Sequence, residues 1–407
     1  MPLLSDRALQ LPASPIRKLV PYADAAKRRG TKVLHLNIGQ PDIETPPRFF
    51  EAIQQAHIEV LAYSHSAGNE SLRNAIAAYY GRLGYPLESR DVIVTTGASE
   101  ALSFVFAACM NPGDEVIVPE PFYANYNSFT QFTGARVVPI VTRIEDDFAL
   151  PPIEAFEALI TPRTRAILIC NPGNPTGILY PQASLERLKE IALRHDLFLI
   201  ADEVYREFAY DGLQHHSTLG LSGAEPNVIV VDSISKRFSA CGARIGCVVS
   251  RNAELMDGIL RMAQARLSPP TLGQIGAEAL YALPASFYEA VNAEYAARRD
   301  LMLDLLAQVP GVRCPRVNGA FYAMVRLPVA DAEHFCRWML ESFSHEGATV
   351  MMAPGNGFYS DPARGQDEVR IAYVLNQDDL RQAIRCLEAG LRAYPGRVRS
   401  HAAAASA

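Results

Sequence analysis

The sequence predicts an α/β protein in which a mostly parallel β-sheet lies between layers of helices. Two observations support this prediction. Between residues 90 and 250, short apolar runs rich in Val and Ile alternate with amphipathic stretches, as expected when helices connect buried parallel strands. The chain of 407 residues is also 49% hydrophobic and 20% charged, which is typical of a globular protein with a large core.

Seven apolar runs are predicted to form the strands of this sheet, because each is short and is followed by a turn or an amphipathic segment. They are Val92–Thr95, Glu115–Val118, Arg136–Pro139, Ala166–Cys170, Leu197–Ala201, Val228–Asp232 and Gly246–Ser250. The helical periodicity between them predicts helices at Ala98–Met110, Phe122–Thr133 and Pro181–His195. Such sheets bind ligands at the carboxyl ends of their strands, so we expect the functional residues there.

The two ends of the chain differ from this middle part. The first 45 residues are rich in Pro and turn-like, and after about residue 285 a long charged helix begins a new pattern. The elements predicted there are a helix at Ala285–Gln308, a segment at Gly311–Leu327, and helices near Asp331–His345 and Gln377–Ala393. We therefore expect residues 46–285 to form a large domain. Residues 1–45 and 286–395 are expected to form a smaller α+β domain, and 396–407 a frayed tail.

Composition and charge argue against several classes of protein. With 38 basic and 44 acidic residues, the net charge of −6 argues against a nucleic-acid partner. No apolar run is long enough to span a membrane, and the N-terminus lacks the pattern of a secretory signal, so we expect a cytoplasmic protein without a membrane partner. The seven cysteines contain no CxxC pair and the nine histidines no HExxH spacing. We therefore expect neither a disulfide framework nor a metal site.

The strongest chemical signal is the segment 233–246, directly after the last predicted parallel strand. Lys236 is flanked by the hydroxyls of Ser233 and Ser235, and Arg244 follows eight residues later. A lysine amine can form a Schiff base with an aldehyde, whereas hydroxyls and a guanidinium suit a phosphate. A Ser-x-Ser-Lys run alone is typical of a solvated loop, but the glycines and the arginine at these spacings favour a ligand site.

This motif resembles that of the fold-type I pyridoxal-phosphate enzymes, specifically the class I/II aminotransferases of the aspartate aminotransferase family. The resemblance extends from Val33 to Ala393. It implies a large domain with a seven-stranded, mostly parallel sheet and a smaller α+β domain. It also implies that Lys236 holds pyridoxal 5′-phosphate as a Schiff base.

Two further motifs of the family follow predicted strands. In the loop 171–177, N-P-G-N-P-T-G, the resemblance assigns Asn174 to the phenolic oxygen of the cofactor and places it near the substrate carboxylate. Tyr205 is implied to share that oxygen. Asp202 is implied to face the pyridine nitrogen, where a buried carboxylate keeps the nitrogen protonated and makes the ring an electron sink.

The resemblance also implies a cradle for the cofactor phosphate, part of it at a strand-to-helix turn. Helix N-termini present free N–H groups that bind phosphate. The residues implied are Gly97, Ala98, Ser99, Ser233, Ser235 and Arg244. In the family an aromatic ring covers the pyridine face; Tyr123 aligns best with it, and Phe122 is the alternative.

Three implied residues lie outside the main sheet. The backbone of Gly39 is implied to border the substrate carboxylate, and Arg370 to bind the α-carboxylate through two parallel hydrogen bonds. Tyr63 resembles the tyrosine that reaches the phosphate of the neighbouring subunit. The resemblance therefore implies a homodimer with shared active sites.

The implied activity is transfer of an amino group from an L-amino acid to a 2-oxo acid, with 2-oxoglutarate as the expected acceptor. Lys236, Asp202 and Tyr205 are the implied catalytic residues. A β-lyase, such as a C–S lyase, would use the same residues, so the motifs leave that alternative open. A transcription regulator with an aminotransferase-like domain is disfavoured, because about 30 residues before Val33 cannot hold a DNA-binding module.

The amino donor stays open between aspartate and a broad or aromatic range. Ser99 stands where some aspartate-specific relatives place a lysine for the distal carboxylate. Arg266, just before a Ser-Pro-Pro sequence, is a candidate substitute for that cation. His65, near Tyr63, is a candidate for shaping the side-chain pocket.

Overall fold

The computed structural model describes residues 2–11 and 14–398. Residues 399–407, which include most of the predicted tail, lie outside these ranges. The predicted α/β architecture is confirmed, with one large sheet and two small ones. The strands are β1 Lys32–His35, β2 Val92–Thr95, β3 Glu115–Glu120, β4 Arg136–Val141, β5 Thr164–Cys170, β6 Phe198–Asp202, β7 Val228–Ser233, β8 Gly246–Val249, β9 Tyr322–Arg326, β10 Ala348–Met351, β11 Ala353–Pro354 and β12 Glu368–Ala372.

The helices connect these strands and cover both faces of the large sheet. They are α1 Asp6–Gln10, α2 Val20–Arg28, α3 Arg48–Gln55, α4 Glu70–Arg82, α5 Gly97–Cys109, α6 Asn125–Thr133, α7 Ile153–Glu157, α8 Gln182–Arg194, α9 Ile234–Arg237, α10 Ala253–Arg266, α11 Thr271–Leu280, α12 Ala285–Ala307, α13 Ala332–Ser342 and α14 Gln377–Ala393. Among the described residues, no helix combines the length and apolar character needed to cross a membrane.

The large sheet has the strand order β2-β8-β7-β6-β5-β3-β4. Strand β8 is antiparallel to both of its neighbours, and the other six strands run in one direction. Every residue of β2, β3, β7 and β8 is buried, as expected for a sheet covered on both faces. All seven strands predicted from the sequence are present.

Several element boundaries differ from the prediction. Strands β3 and β4 are each two residues longer than expected. Helix α6 begins at Asn125 rather than at Phe122, because the backbone N–H of Phe122 donates to the carbonyl of Phe358 at 2.9 Å. That bond belongs to a contact between distant parts of the chain, which local periodicity does not encode.

The N-terminal segment is more regular than its turn-like composition indicates. It contains α1, α2 and β1, and β1 pairs in parallel with β10 near the other end of the chain. The C-terminal part adds the antiparallel sheet β11-β12-β9. Apolar residues of both ends share one hydrophobic core. We propose residues 1–45 and 286–395 as the small domain and 46–285 as the large one, with the boundary at the start of α12.

The large sheet positions the site through three adjacent strand ends. Cys170 at the end of β5 is in register with Asp202 at the end of β6, and Asp202 is in register with Val231 on β7. The loops after β5 and β6 and the short helix after β7 therefore leave the sheet side by side. This is the edge where an open α/β sheet binds its ligands.

Candidate active site

A cavity of about 630 Å³ opens at these strand ends, which is in the range of small-molecule sites. It brings together residues from both ends of the chain and residues at or after the carboxyl ends of strands β2, β3, β5, β6 and β7. The predicted site residues that line it are Gly39, Ala98, Ser99, Tyr123, Asn174, Asp202, Tyr205, Ser233, Ser235, Lys236, Arg244 and Arg370. Gly97 lies directly beside the cavity, at the start of α5.

Lys236 extends into the cavity from α9, the single helical turn that follows β7. Ser233 caps this turn, because its hydroxyl accepts a hydrogen bond from the N–H of Ser235 at 3.0 Å. The Lys236 ammonium donates to the carbonyl of Gly39 at 2.8 Å. Burial lowers the pKa of Lys236, so the neutral amine is more accessible than in water. A lysine with that property is suited to act as a nucleophile and as a proton carrier.

Asp202 is a buried carboxylate at the floor of the cavity. Burial raises its pKa to about 6, while the hydrogen bond from Tyr126 and the charge of Lys236 act in the opposite direction. The Tyr126 hydroxyl donates to Asp202 Oδ2 at 2.9 Å. At neutral pH the group is therefore mostly ionised, and it faces the cavity as an acceptor for a protonated partner.

Asn174, Tyr205 and Tyr322 form a chain of polar groups on one wall. The Asn174 amide donates to the Tyr205 hydroxyl at 3.3 Å, and the hydroxyls of Tyr205 and Tyr322 are 3.0 Å apart. The Tyr322 hydroxyl also packs against Gly39, where a side-chain Cβ would overlap it. Burial raises the pKa of Tyr322 to about 12, so these hydroxyls stay protonated and can donate hydrogen bonds at neutral pH.

Arg370 lies on β12 and is 1% exposed. Its Nη1 donates to Asn174 Oδ1 at 3.0 Å and its Nη2 to the carbonyl of Asn37 at 2.5 Å. The guanidinium lies between the rings of Tyr322 and Phe358, with its carbon 4.5 and 4.9 Å from their centroids. Among the described residues, its buried Nε has no hydrogen-bond partner. A buried cation with a free donor, facing a cavity, is suited to binding an anion such as a carboxylate.

The residues of the predicted phosphate cradle lie around the start of α5. The Ser233 and Ser235 hydroxyls are 2.7 Å apart, and Arg244 Nη2 donates to the carbonyl of Thr96 at 3.3 Å. The guanidinium passes so close to Gly97 that a Cβ there would overlap it. A Cβ on Gly246 would lie 2.7 Å from the Ala98 nitrogen. The two glycines therefore keep the amides, hydroxyls and guanidinium close enough to surround one anion.

The structure distinguishes between the two aromatic candidates. Tyr123 lines the cavity, and its hydroxyl accepts a hydrogen bond from Asn125 at 2.8 Å. Phe122 is 2% exposed and packs in the core beneath the cavity, stacked on Tyr126. Tyr123 is therefore the ring in a position to cover a bound ligand.

Three predicted candidates do not line this cavity. Tyr63 and His65 lie on an outer loop, where Tyr63 is 79% exposed. Arg266, the candidate cation for a distal carboxylate, is engaged elsewhere. Its guanidinium forms an ion pair with Glu100 at 3.0 Å and donates to the carbonyl of Ser66 at 3.0 Å, so it ties α10 to α5 and to the loop after residue 65.

Four residues that line the cavity or contact its lining were not predicted from the sequence. Tyr126 and Tyr322 contact Asp202 and Tyr205 across 76 and 117 residues, Phe358 stacks on the buried arginine, and Arg17 lines the cavity mouth. Of these four, Tyr126 had a local signal, because it follows Tyr123 by three residues within the helix predicted at Phe122–Thr133, where that spacing would place both side chains on one face.

The residues present fit pyridoxal phosphate. The cradle supplies donors for a phosphate, Asp202 supplies a carboxylate for the ring nitrogen, and Asn174 and Tyr205 supply a pair of polar groups for the phenolic oxygen. Lys236 supplies an amine for the aldehyde. The Arg370 guanidinium lines the same cavity and supplies a cation for a substrate anion.

Sequence comparison identifies the family. Residues 31–387 match the family described as aminotransferase class I and II. The chain is 36% identical over 371 residues to the arginine–pyruvate transaminase of Pseudomonas aeruginosa, which covers 89% of this chain and 90% of that protein. It is 34% identical over 365 residues to the aspartate/prephenate aminotransferase of Thermus thermophilus, covering 88% and 91%.

Comparison with solved structures supports the same family. The aspartate aminotransferase from Thermus thermophilus with maleate superposes with a TM-score of 0.87 at 30% identity, covering 96% of this chain and all of that one. The alanine aminotransferase from Pyrococcus furiosus gives 0.86 at 31% identity, covering 95% and 99%. These matches confirm the resemblance that the lysine motif indicated. The chain therefore belongs to the class I and II aminotransferases and is a pyridoxal-phosphate-dependent transaminase.

Proposed function

We propose that this cavity is the active site in which an L-amino acid donates its amino group and a 2-oxo acid, with 2-oxoglutarate as the expected acceptor, receives it. One observation carries the proposal: Lys236, Asp202 and Arg370 supply an amine, a carboxylate and a guanidinium to the lining of one cavity. An amine, an acid and an anion site in that arrangement match the needs of amino transfer at Cα.

The chain would hold the cofactor at both of its polar ends. The Ser233 and Ser235 hydroxyls, the Arg244 guanidinium and the first amides of α5 would bind the phosphate. Tyr123 would cover the ring. Bound pyridoxal phosphate supplies the aldehyde that takes up the amino group and a ring that accepts the electron pair from the broken Cα–H bond.

Lys236 is proposed to carry the proton. Its Nζ would take the proton from the substrate Cα, since burial lowers its pKa and favours the neutral amine. The carbonyl of Gly39, 2.8 Å away, orients the same nitrogen. A single flexible amine can therefore both remove the proton and return it within one turnover.

Asp202 is proposed to supply the electrostatic driving force. Its carboxylate would keep the ring nitrogen protonated, and Tyr126 holds Oδ2 in place by a hydrogen bond of 2.9 Å. On the opposite side, Asn174 and Tyr205 would donate hydrogen bonds that stabilise negative charge on the phenolic oxygen. The charged form of the ring is thereby stabilised from both ends.

Arg370 is proposed to bind the α-carboxylate of both the donor and the acceptor. Its stacking between two rings fixes the plane of the guanidinium, and a planar guanidinium can form two parallel bonds to a carboxylate. Because the donor and the acceptor would use the same arginine, they bind in turn rather than together. The kinetics should therefore be ping-pong.

A second copy of this chain is proposed to complete the site. An outer segment exposes Ile58 at 39%, Val60 at 78%, Leu61 at 60% and Tyr63 at 79%. Adjacent exposed apolar residues of this kind mark interfaces. In a homodimer this segment would be covered, and the Tyr63 hydroxyl would reach the phosphate of the partner subunit. Light scattering should give about twice the chain mass, and Val60→Asp should give monomers with lower cofactor affinity.

The test is a panel of L-amino acids with 2-oxoglutarate and the purified holoenzyme. We expect stoichiometric formation of glutamate and of the 2-oxo acid of the donor, with parallel double-reciprocal plots. Release of free ammonia in place of glutamate would show a lyase and would contradict the proposal. Lys236→Ala, which leaves the cradle intact, serves as the inactive control.

A further inference from the structure

One charged residue of the cavity has no part in the proposed reaction. Four cations line the cavity, and Asp202 is the one acid among its lining residues. Lys236, Arg244 and Arg370 are already assigned to the amine, the phosphate and the α-carboxylate. Arg17 remains, at the mouth of the cavity.

The position of Arg17 is tied to the α-carboxylate site through Asn37. The Asn37 amide donates to the carbonyl of Ile16 at 2.8 Å, and the Asn37 carbonyl accepts from Arg370 Nη2 at 2.5 Å. Asn37 is fully buried, so this link is rigid. The backbone that carries Arg17 is therefore held at a fixed place relative to the substrate's α-carboxylate.

The Arg17 side chain is available for a ligand. Across the described ranges, its guanidinium forms neither a hydrogen bond nor an ion pair, whereas the adjacent Lys18 is paired with Glu333 at 2.6 Å. The positive charge of Arg17 acts on the buried phenol of Tyr123, together with those of Arg244 and Arg370. The positive charge of Arg17 is therefore felt inside the cavity, at Tyr123.

The lining of the cavity also includes neutral polar groups, beside the apolar Ile16, Ile38 and Leu102. Gln40, Ser99 and Asn125 line the cavity together with Arg17. A substrate whose side chain ends in a carboxylate would find a cation and neutral donors there. A substrate ending in a guanidinium or an ammonium would find Arg17 instead of a compensating acid, because Asp202 is assigned to the ring nitrogen.

We propose that Arg17 determines substrate choice by binding the distal carboxylate of an acidic amino acid and of its 2-oxo acid. This inference rests on the proposed function, since it uses the same cavity. It assigns aspartate and glutamate, rather than arginine, as the preferred donors. It also replaces Arg266, which is engaged elsewhere, as the cation for dicarboxylates.

The test compares Arg17→Ala with Lys18→Ala, its neighbour in sequence, in the holoenzyme. We expect Arg17→Ala to lower kcat/KM for aspartate and glutamate about tenfold, equivalent to about 1.4 kcal/mol for one charged contact, and for alanine less than twofold. Lys18→Ala should leave the ratio of aspartate to alanine unchanged. A second readout is calorimetric: the Kd of succinate should rise about tenfold in Arg17→Ala, while that of butanoate, which has one carboxylate, stays the same.

Two results would overturn the assignment. One is an equal loss of kcat/KM for all donors in Arg17→Ala, which would show a structural role. The other is a succinate Kd that does not change. Failure of the proposed function looks different, because the wild-type enzyme would then transaminate no donor at all, whereas the succinate measurement would still report on Arg17.

Discussion

Replacing Asp202 with Asn should make the cofactor-free protein more stable and the holoenzyme much less active. Burial raises the pKa of Asp202 from 3.8 to about 6. The folded chain therefore binds this proton more tightly than the unfolded chain does, and stability falls as the pH rises between those two values. At about 1.36 kcal/mol per pH unit, the cost of ionisation is roughly 1.6 kcal/mol at pH 5 and roughly 3 kcal/mol at pH 8.

Asparagine removes that cost, because its side chain does not ionise. Its amide oxygen can still accept the hydrogen bond from Tyr126. Urea unfolding of the cofactor-free Asp202→Asn variant should therefore give a gain in unfolding free energy of about 3 kcal/mol at pH 8 and about half that at pH 5. In the holoenzyme, kcat/KM should fall at least about a hundredfold, which is about 2.7 kcal/mol, because an amide cannot keep the ring nitrogen protonated.

The matched control is Asp232→Asn on the neighbouring strand. The Asp232 carboxylate accepts hydrogen bonds from the buried Arg237 and, at 2.9 Å, from Tyr80. Its loss leaves a buried guanidinium poorly compensated, so that variant should lose about 3–5 kcal/mol of stability. An Asp202→Asn variant that is less stable than wild type, or equally stabilised at both pH values, would refute the electrostatic reasoning.

Three further substitutions test single residues of the site. Lys236→Ala should abolish turnover while the melting temperature stays within a few degrees of that of the wild type. Measurable turnover with any donor would exclude Lys236 as the proton carrier. Arg370→Leu should lower kcat/KM for aspartate, alanine and phenylalanine alike by at least about thirtyfold, or about 2 kcal/mol. Arg326→Leu, on the adjacent strand, should leave kcat/KM for these donors unchanged. A loss confined to one donor would contradict the α-carboxylate role. Tyr126→Phe removes a hydrogen bond that lowers the pKa of Asp202. The acidic limb of the pH–rate profile should therefore shift upward by about one pH unit. An unchanged profile would show that the tyrosine contributes only packing.

The large sheet and most of the candidate site could be predicted because their signals are local. Each parallel strand contains a short apolar run. Asp202 ends β6, and Asn174 and Lys236 lie within four residues of the ends of β5 and β7. Topology then brings those ends to one edge. Short-range pattern and general sheet geometry were therefore sufficient to group them.

The rest of the site depends on contacts between distant segments. Tyr322, on β9, lies within a stretch without a recognisable motif, and its hydroxyl contacts that of Tyr205 across 117 residues of sequence. Arg17 follows a proline-rich stretch whose path is set by Asn37. Neither contact has a periodicity that a sequence could reveal.

Arg266 illustrates the opposite error. A cation near a Ser-Pro-Pro sequence is a reasonable candidate for binding a substrate carboxylate. In the structure, however, its guanidinium pairs with an internal acid and donates to three backbone carbonyls. Tertiary packing decides which arginines pair with internal acids. A sequence shows only that a residue is arginine and does not show its partners. Burial and partners, rather than residue type, separate Arg266 from Arg17 and Arg370.

The most direct test of the whole account is to find where the cofactor attaches. The chain has five lysines, Lys18, Lys27, Lys32, Lys189 and Lys236, and among them Lys236 lines the cavity. Borohydride reduction of the holoenzyme followed by peptide mass spectrometry should find the cofactor mass on the peptide that contains Lys236. The same mass on any of the other four lysines, or on no lysine, would contradict the account.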